Sequence, residues 1–95
     1  MTVLRHYSLR AAEGREAELG DALVALAARV RACAGCEEVQ IWVAARDRGQ
    51  FIFIESWRSD TDRDAAGAVL GKSAFAAIFA ALEGRPAATD LLPFG

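Results

Sequence analysis

Few side chains in this sequence can do acid–base chemistry near neutral pH. His6 is the sole histidine, and so the side chain whose unperturbed pKa best suits a general base there. Glu55 is the second candidate. It stands in Phe51-Ile52-Phe53-Ile54-Glu55-Ser56-Trp57, where strict alternation puts it on one face with Phe53 and Trp57. Desolvation between those rings would raise its pKa toward that of a working base. Tyr7, Trp42 and Trp57 can hold or orient an aromatic ring, and Phe75 and Phe79 can line a helix side. Each also has a plain structural reading. His6 shares its strand face with Leu4 and Ser8, and no acid neighbours it in sequence. Glu55 can pair with Arg5, with Arg58 or across an interface, and the aromatic residues can be core or interface packing. Tyr7 shares a face with Val3, Leu9 and Arg5, and Arg5 would be costly there unless paired or lining a cavity.

Cys33-Ala34-Gly35-Cys36 is a C-x-x-C motif. Reactive pairs of this kind sit at a helix N-terminus, where the dipole favours thiolate. Here the pair closes a helical pattern with Gly35 placed as a left-handed cap, and a negative helix end disfavours thiolate. Zinc would need more ligands than two thiols and a distant His6. Inert, buried thiols are expected.

The elements that must position these groups are legible from periodicity. Thr2–Leu9 alternates as a strand. From Arg15 the period turns helical, with Leu19, Leu23, Leu26 and Val30 on one stripe, acids near its start and Arg29 and Arg31 near its end. Gly35–Val43 and Phe51–Trp57 alternate as two arms of a hairpin. A turn centred on Asp47-Arg48 would set Ala45 opposite Gln50, Val43 opposite Ile52, Ile41 opposite Ile54 and Val39 opposite Ser56. That register makes one face aliphatic and pairs Trp42 with Phe53, Gln40 with Glu55 and Glu38 with Trp57 on the other. A face so mixed suggests a subunit interface or a ligand cavity. After Trp57 come capping residues, a short helix over Ala65–Leu70 broken at Gly67 or Gly71, and a final helix capped by Ser73 with Phe75, Ile78, Phe79 and Leu82 on one stripe. Ala87–Phe94 reads as an edge strand, confined there by Pro86 and Pro93.

The chain has 95 residues, expected to form one domain over 1–95, and is 54% hydrophobic with a net charge of −2. No basic stripe appears, so nucleic acid is not an expected partner. No apolar run approaches the roughly 20 residues of a membrane span, and the N-terminus goes straight into strand pattern with no leader, so a cytoplasmic protein is expected. Strand, helix, strand, strand, broken helix, strand is the βαββαβ plan of a ferredoxin-like α+β sheet with both helices on one face. The helices would cover Val39, Ile41, Val43, Ile52 and Ile54. The face with Trp42, Phe53 and Trp57 would then need a second copy of the chain to shield it, as a homodimer.

Several of these residues, taken in order, resemble the antibiotic-biosynthesis-monooxygenase type of dimeric α/β barrel over nearly the full length. They are Gly14 opening the first helix, Gly35-Cys36 opening the second strand, Phe51-x-Phe53-x-Glu55-x-Trp57-x-Ser59 before a capped helix, and Lys72-Ser73-Ala74-Phe75 opening the last one. The resemblance implies a homodimeric barrel and a cofactor-independent monooxygenase that oxidises a small aromatic or quinol substrate with O₂. In it His6 or Glu55 would serve as base, and Tyr7, Trp42, Phe53, Trp57 and Phe79 would shape the substrate pocket. Such an enzyme must bind a ring, favour its deprotonated form and exclude water from the radical or peroxy intermediate. The haem-degrading branch implies an Asn on the first strand, a Trp on the linking helix and a His on the last. Tyr7, Val69 and Phe79 stand at or near those places. Many family members carry a His on the middle helical segment, where this chain has Ala65-Ala66-Gly67-Ala68-Val69. That departure favours the alternative, a non-catalytic dimeric module that binds a small hydrophobic ligand.

Overall fold

Leu19, Leu23, Leu26 and Val30 form the buried stripe of helix α1 (Glu16–Arg31), with Glu16 and Glu18 in its first turn and Arg29 and Arg31 in its last. The computed structural model describes residues 1–95. Before α1 lies β1 (Val3–Arg10). After it come β2 (Cys36–Ala44), β3 (Asp47–Trp57), α2 (Asp60–Leu70), a 3₁₀ turn (Lys72–Phe75), α3 (Ala76–Ala81) and β4 (Ala87–Leu91). Helix α2 begins earlier than its apolar residues suggest, because the Ser59 side chain accepts a bond from Asp62 N and caps it. Gly71, at φ 67°, ends it. The antiparallel sheet runs β2-β3-β1-β4, with β1 internal and β4 at an edge. Order and connectivity make this a ferredoxin-like α+β fold.

The hairpin register differs from the expected one by a single step. Val43 faces Phe51, Ile41 faces Phe53 and Val39 faces Glu55, while Trp42 faces Ile52 and Gln40 faces Ile54. The reversal is at Ala45-Arg46, and the ladder is irregular between Val43 and Ala44. The extra residues on β3 include Gly49, whose buried carbonyl accepts from Ala11 N. One step of slip exchanges the partners of every side chain. Trp42 is therefore not on the face of Phe53, Glu55 and Trp57, and the expected mixed face is two separate surfaces.

The helices cover Val3, Leu9, Val39, Phe51, Phe53 and Trp57, not Ile52 and Ile54. Helix α1 packs against these rings, with Gly20 facing Phe51. A side-chain carbon added at Gly20 would lie 3.7 Å from the Phe51 ring. The other face carries Leu4, His6, Ile52, Ile54, Trp42 and Leu91 with no element over it, and Trp42 is 60% exposed. Two further details depart from expectation. Ser73 lies inside the 3₁₀ turn and makes no cap, and Phe79 points outward rather than into the core. No single helix is long and apolar enough to cross a membrane.

Candidate functional site

Glu55 is the one charged side chain in the core, at 6% exposure. Alternation on β3 forces it inward between Phe53 and Trp57, and the register sets it across from Arg5 on β1 and Val39 on β2. Its Oε1 accepts a 2.9 Å bond from Trp57 Nε1. No side chain donates to its other oxygen, and no fully sealed polar side-chain atom in the protein lacks a partner. Oε2 therefore opens onto free space. Burial pushes the Glu55 carboxyl above the usual glutamate range, opposed by the Trp57 bond and the charges of Arg5 and Arg63.

Glu55 lines a cavity of about 240 Å³ between the sheet and α1, the 3₁₀ turn and α3. Leu9, Leu23, Leu26, Phe53 and Ile78 form its apolar wall, with Phe75 and the exposed Phe79 toward its outer side. Tyr7 and Glu55 bring its polar side-chain atoms. An apolar cavity of roughly 150 Å³ suffices for benzene, so a substituted ring fits here. Tyr7 meets Phe53 edge to face, with ring centroids 6.1 Å apart, which fixes the angle of its hydroxyl.

A second chamber of about 280 Å³ adjoins the first, sharing Tyr7, Glu55 and Phe75 and adding Arg5, Trp57, Arg63 and Asp64. Arg5 Nε donates to Tyr7 Oη at 3.1 Å, and its guanidinium carbon stands 5.3 Å from the Tyr7 ring centroid. Because the Tyr7 oxygen accepts from Arg5, its own O–H remains available to a ligand. Burial raises the Tyr7 pKa, helped by the Glu55 charge and opposed by Arg5, so the hydroxyl stays protonated at neutral pH. Arg5 Nη1 and Arg63 Nη1 both reach Asp90 Oδ1 at 2.8 Å. Those bonds, Arg5's first, hold the Asp90 carboxyl below the usual carboxylate range.

Glu55, Tyr7, Phe53, Trp57 and Phe79 thus gather around the two chambers. His6 and Trp42 do not. His6 faces Ile54 and Thr89 on the uncovered side of the sheet, and Trp42 lies there beside Ile52, its indole donating to Gln40. Arg63 and Asp90 were not among the expected site residues. Arg63 joins the site through Asp90, 27 positions away in sequence, so nothing local marks it. Cys33 and Cys36 are free, and burial, followed by the Glu55 charge, pushes the Cys36 thiol up. Gly35 takes φ +84° in the turn between them, beyond the αR C-cap Ala32, rather than capping α1 directly.

The fold and this site define a class: small ferredoxin-like α+β domains that hold an aromatic-lined cavity between sheet and helices. Residues 2–81 match the family model described as antibiotic biosynthesis monooxygenase, and the chain belongs to that family. Among solved structures it is similar to Rv0793 from Mycobacterium tuberculosis, with a TM-score of 0.86 and 21% identity over 100% of this chain and 97% of the other. PA3566 from Pseudomonas aeruginosa gives a TM-score of 0.86 and 26% identity over 99% and 95%. A third structure, named as an antibiotic biosynthesis monooxygenase, gives 0.83 and 16% over 98% and 99%. Likeness at this level is one of fold. No curated protein matches the sequence.

Proposed function

We propose that the chain is a cofactor-independent monooxygenase that oxidises a small aromatic or quinol with O₂, using Glu55 as the base. The observation that carries this reading is a buried Glu55 with one unbonded carboxylate oxygen, in the lining of a ring-sized apolar cavity that Tyr7 also lines. A phenolic ring sits against Phe53 and Phe79, and Glu55 takes its hydroxyl proton. Tyr7 donates to the oxyanion that remains, polarised by the Arg5 bond to its oxygen. The ring anion passes one electron to O₂, and superoxide combines with the ring radical at carbon. Loss of water from the peroxide leaves a quinone, so one phenol and one O₂ give one quinone and one water. A hydroquinone instead yields quinone and hydrogen peroxide. The apolar wall keeps water from these intermediates. His6 has no part in this mechanism, because the sheet lies between it and the cavity.

A homodimer belongs to the same proposal. Leu4, Ile52, Ile54 and Trp42 give the uncovered face an apolar surface that a second copy would bury. Sedimentation at micromolar concentration tests it: dimers are expected, and monomers would remove the barrel.

Oxygen uptake with a panel of phenols and hydroquinones, with chelator and with and without catalase, tests the chemistry. Uptake by the wild type well above that of Glu55→Gln is expected. Equal rates would leave the alternative, a module that binds a small aromatic molecule without turning it over, which the lack of a titratable side chain over Ala65–Val69 favours.

A further inference from the structure

The two chambers differ in chemistry, and the difference selects among aromatic ligands. The first is apolar except for Tyr7 and Glu55. The second presents two guanidiniums, Arg5 and Arg63, beyond the same Tyr7 and Glu55. Both guanidiniums reach a single oxygen, so they converge on one anion position. Two like charges held this close repel unless an anion stands between them. That anion is now Asp90, which is outside the chamber's lining and accepts both 2.8 Å bonds. Its side chain is 51% exposed, on an edge strand with every residue exposed, so water competes for those bonds. Arginine forks suit carboxylates in particular, because two parallel donors match two oxygens.

Resting on the reading above, we propose that the second chamber seats a carboxylate borne by the substrate ring, held by Arg5 and Arg63 as they turn to it from the Asp90 side chain. The substrate class is then a hydroxylated aromatic acid. Its ring fills the apolar chamber, its reacting hydroxyl lies at the Glu55–Tyr7 junction, and its carboxylate lies beyond that junction. Arg63 also faces Asp60 and Asp64 at 3.7 and 3.4 Å, both well exposed. These acids weaken the field at the seat, and exposed pairs of this kind are worth little. The gain from a ligand carboxylate is accordingly about fivefold in affinity at most, and it falls as salt rises.

Matched ligands test this by calorimetry on the full chain: 1,4-hydroquinone against 2,5-dihydroxybenzoate, which adds only the carboxylate. The acid is expected to bind about fivefold tighter at low salt. Arg63→Gln should bring the two affinities together. Asp90→Asn should tighten the acid roughly threefold by removing the internal competitor, a sign that a merely structural Asp90 would not produce. It also reads the seat independently should Arg63→Gln fail to fold. Equal affinities in the wild type, or an Asp90→Asn variant that loosens both ligands, would overturn the carboxylate seat while leaving the monooxygenase reading intact. Binding of neither ligand would overturn both.

Discussion

The two faces of this sheet are built from the same strands, yet only the covered one sets a carboxyl group beside a cavity of ring size. On the covered face Glu55 sits among Phe53, Trp57 and Tyr7, held by one indole bond with one oxygen free. On the uncovered face His6 lies between Ile54 and Thr89, outside the lining of both chambers. Environment outweighs residue type. A glutamate pushed up by burial beside a ring-sized space is better placed than a histidine without one.

The largest expected contrast is catalytic. Glu55→Gln should lower oxygen uptake by about 10²–10⁴-fold, the usual span for loss of a general base. His6→Ala should leave uptake within about twofold, since that side chain lies across the sheet. A deficit from His6→Ala equal to that from Glu55→Gln would erase the distinction between the faces.

Next in size is packing. Trp57, at 1% exposure, should cost about 3–5 kcal/mol as Trp57→Ala in urea denaturation. Trp42→Ala should cost far less in the folded subunit and act mainly on dimer stability, read as a concentration dependence of Tm.

This second contrast bears on what the sequence alone could disclose. Leu19, Leu23, Leu26 and Val30 announce α1, alternation announces the strands, and Gly71 marks a break, because each is a local signal. The hairpin register is not local. Phe51 and Phe53 on one face and Ile52 and Ile54 on the other are all apolar, so hydrophobicity does not choose between registers. The irregularity around Gly49 goes with the observed register, and the Gly49 carbonyl is bonded by Ala11, just past the end of β1. The site was half legible for the same reason. Glu55, Phe53 and Trp57 share a face by alternation alone, and Tyr7 joins them once β1 pairs with β3. The second chamber brings residues of β1, β3, α2 and the 3₁₀ turn together, and the Arg5–Asp90–Arg63 bridge adds β4, so neither is written in any one segment.

A smaller effect sharpens the comparison through pH. The folded Glu55 binds its proton more tightly than the unfolded chain does. Stability is therefore lost as pH rises from the ordinary carboxylate range through the raised folded pKa. Glu55→Gln removes that penalty and keeps an oxygen for the Trp57 bond. It should raise Tm above the window and change it little below. A gain that is largest in acid would reverse the sign and refute the assignment.

The smallest effect is a shift of profile rather than a loss. Trp57 donates to Glu55 and so lowers its pKa, against the larger effect of burial. Trp57→Phe should move the rising limb of the pH–rate profile to higher pH. An unmoved limb would mean that the indole bond does not tune the base.

The account depends most on the state of one carboxyl group. Carboxyl-carbon NMR of Glu55, followed through a pH titration with and without a phenolic ligand, measures it directly. We expect a midpoint above that of an exposed glutamate, a clear response of Glu55 to the ligand, and no response of the His6 ring. An ordinary midpoint, with the ligand perturbing His6 instead, would place the chemistry on the other face of the sheet and contradict the account.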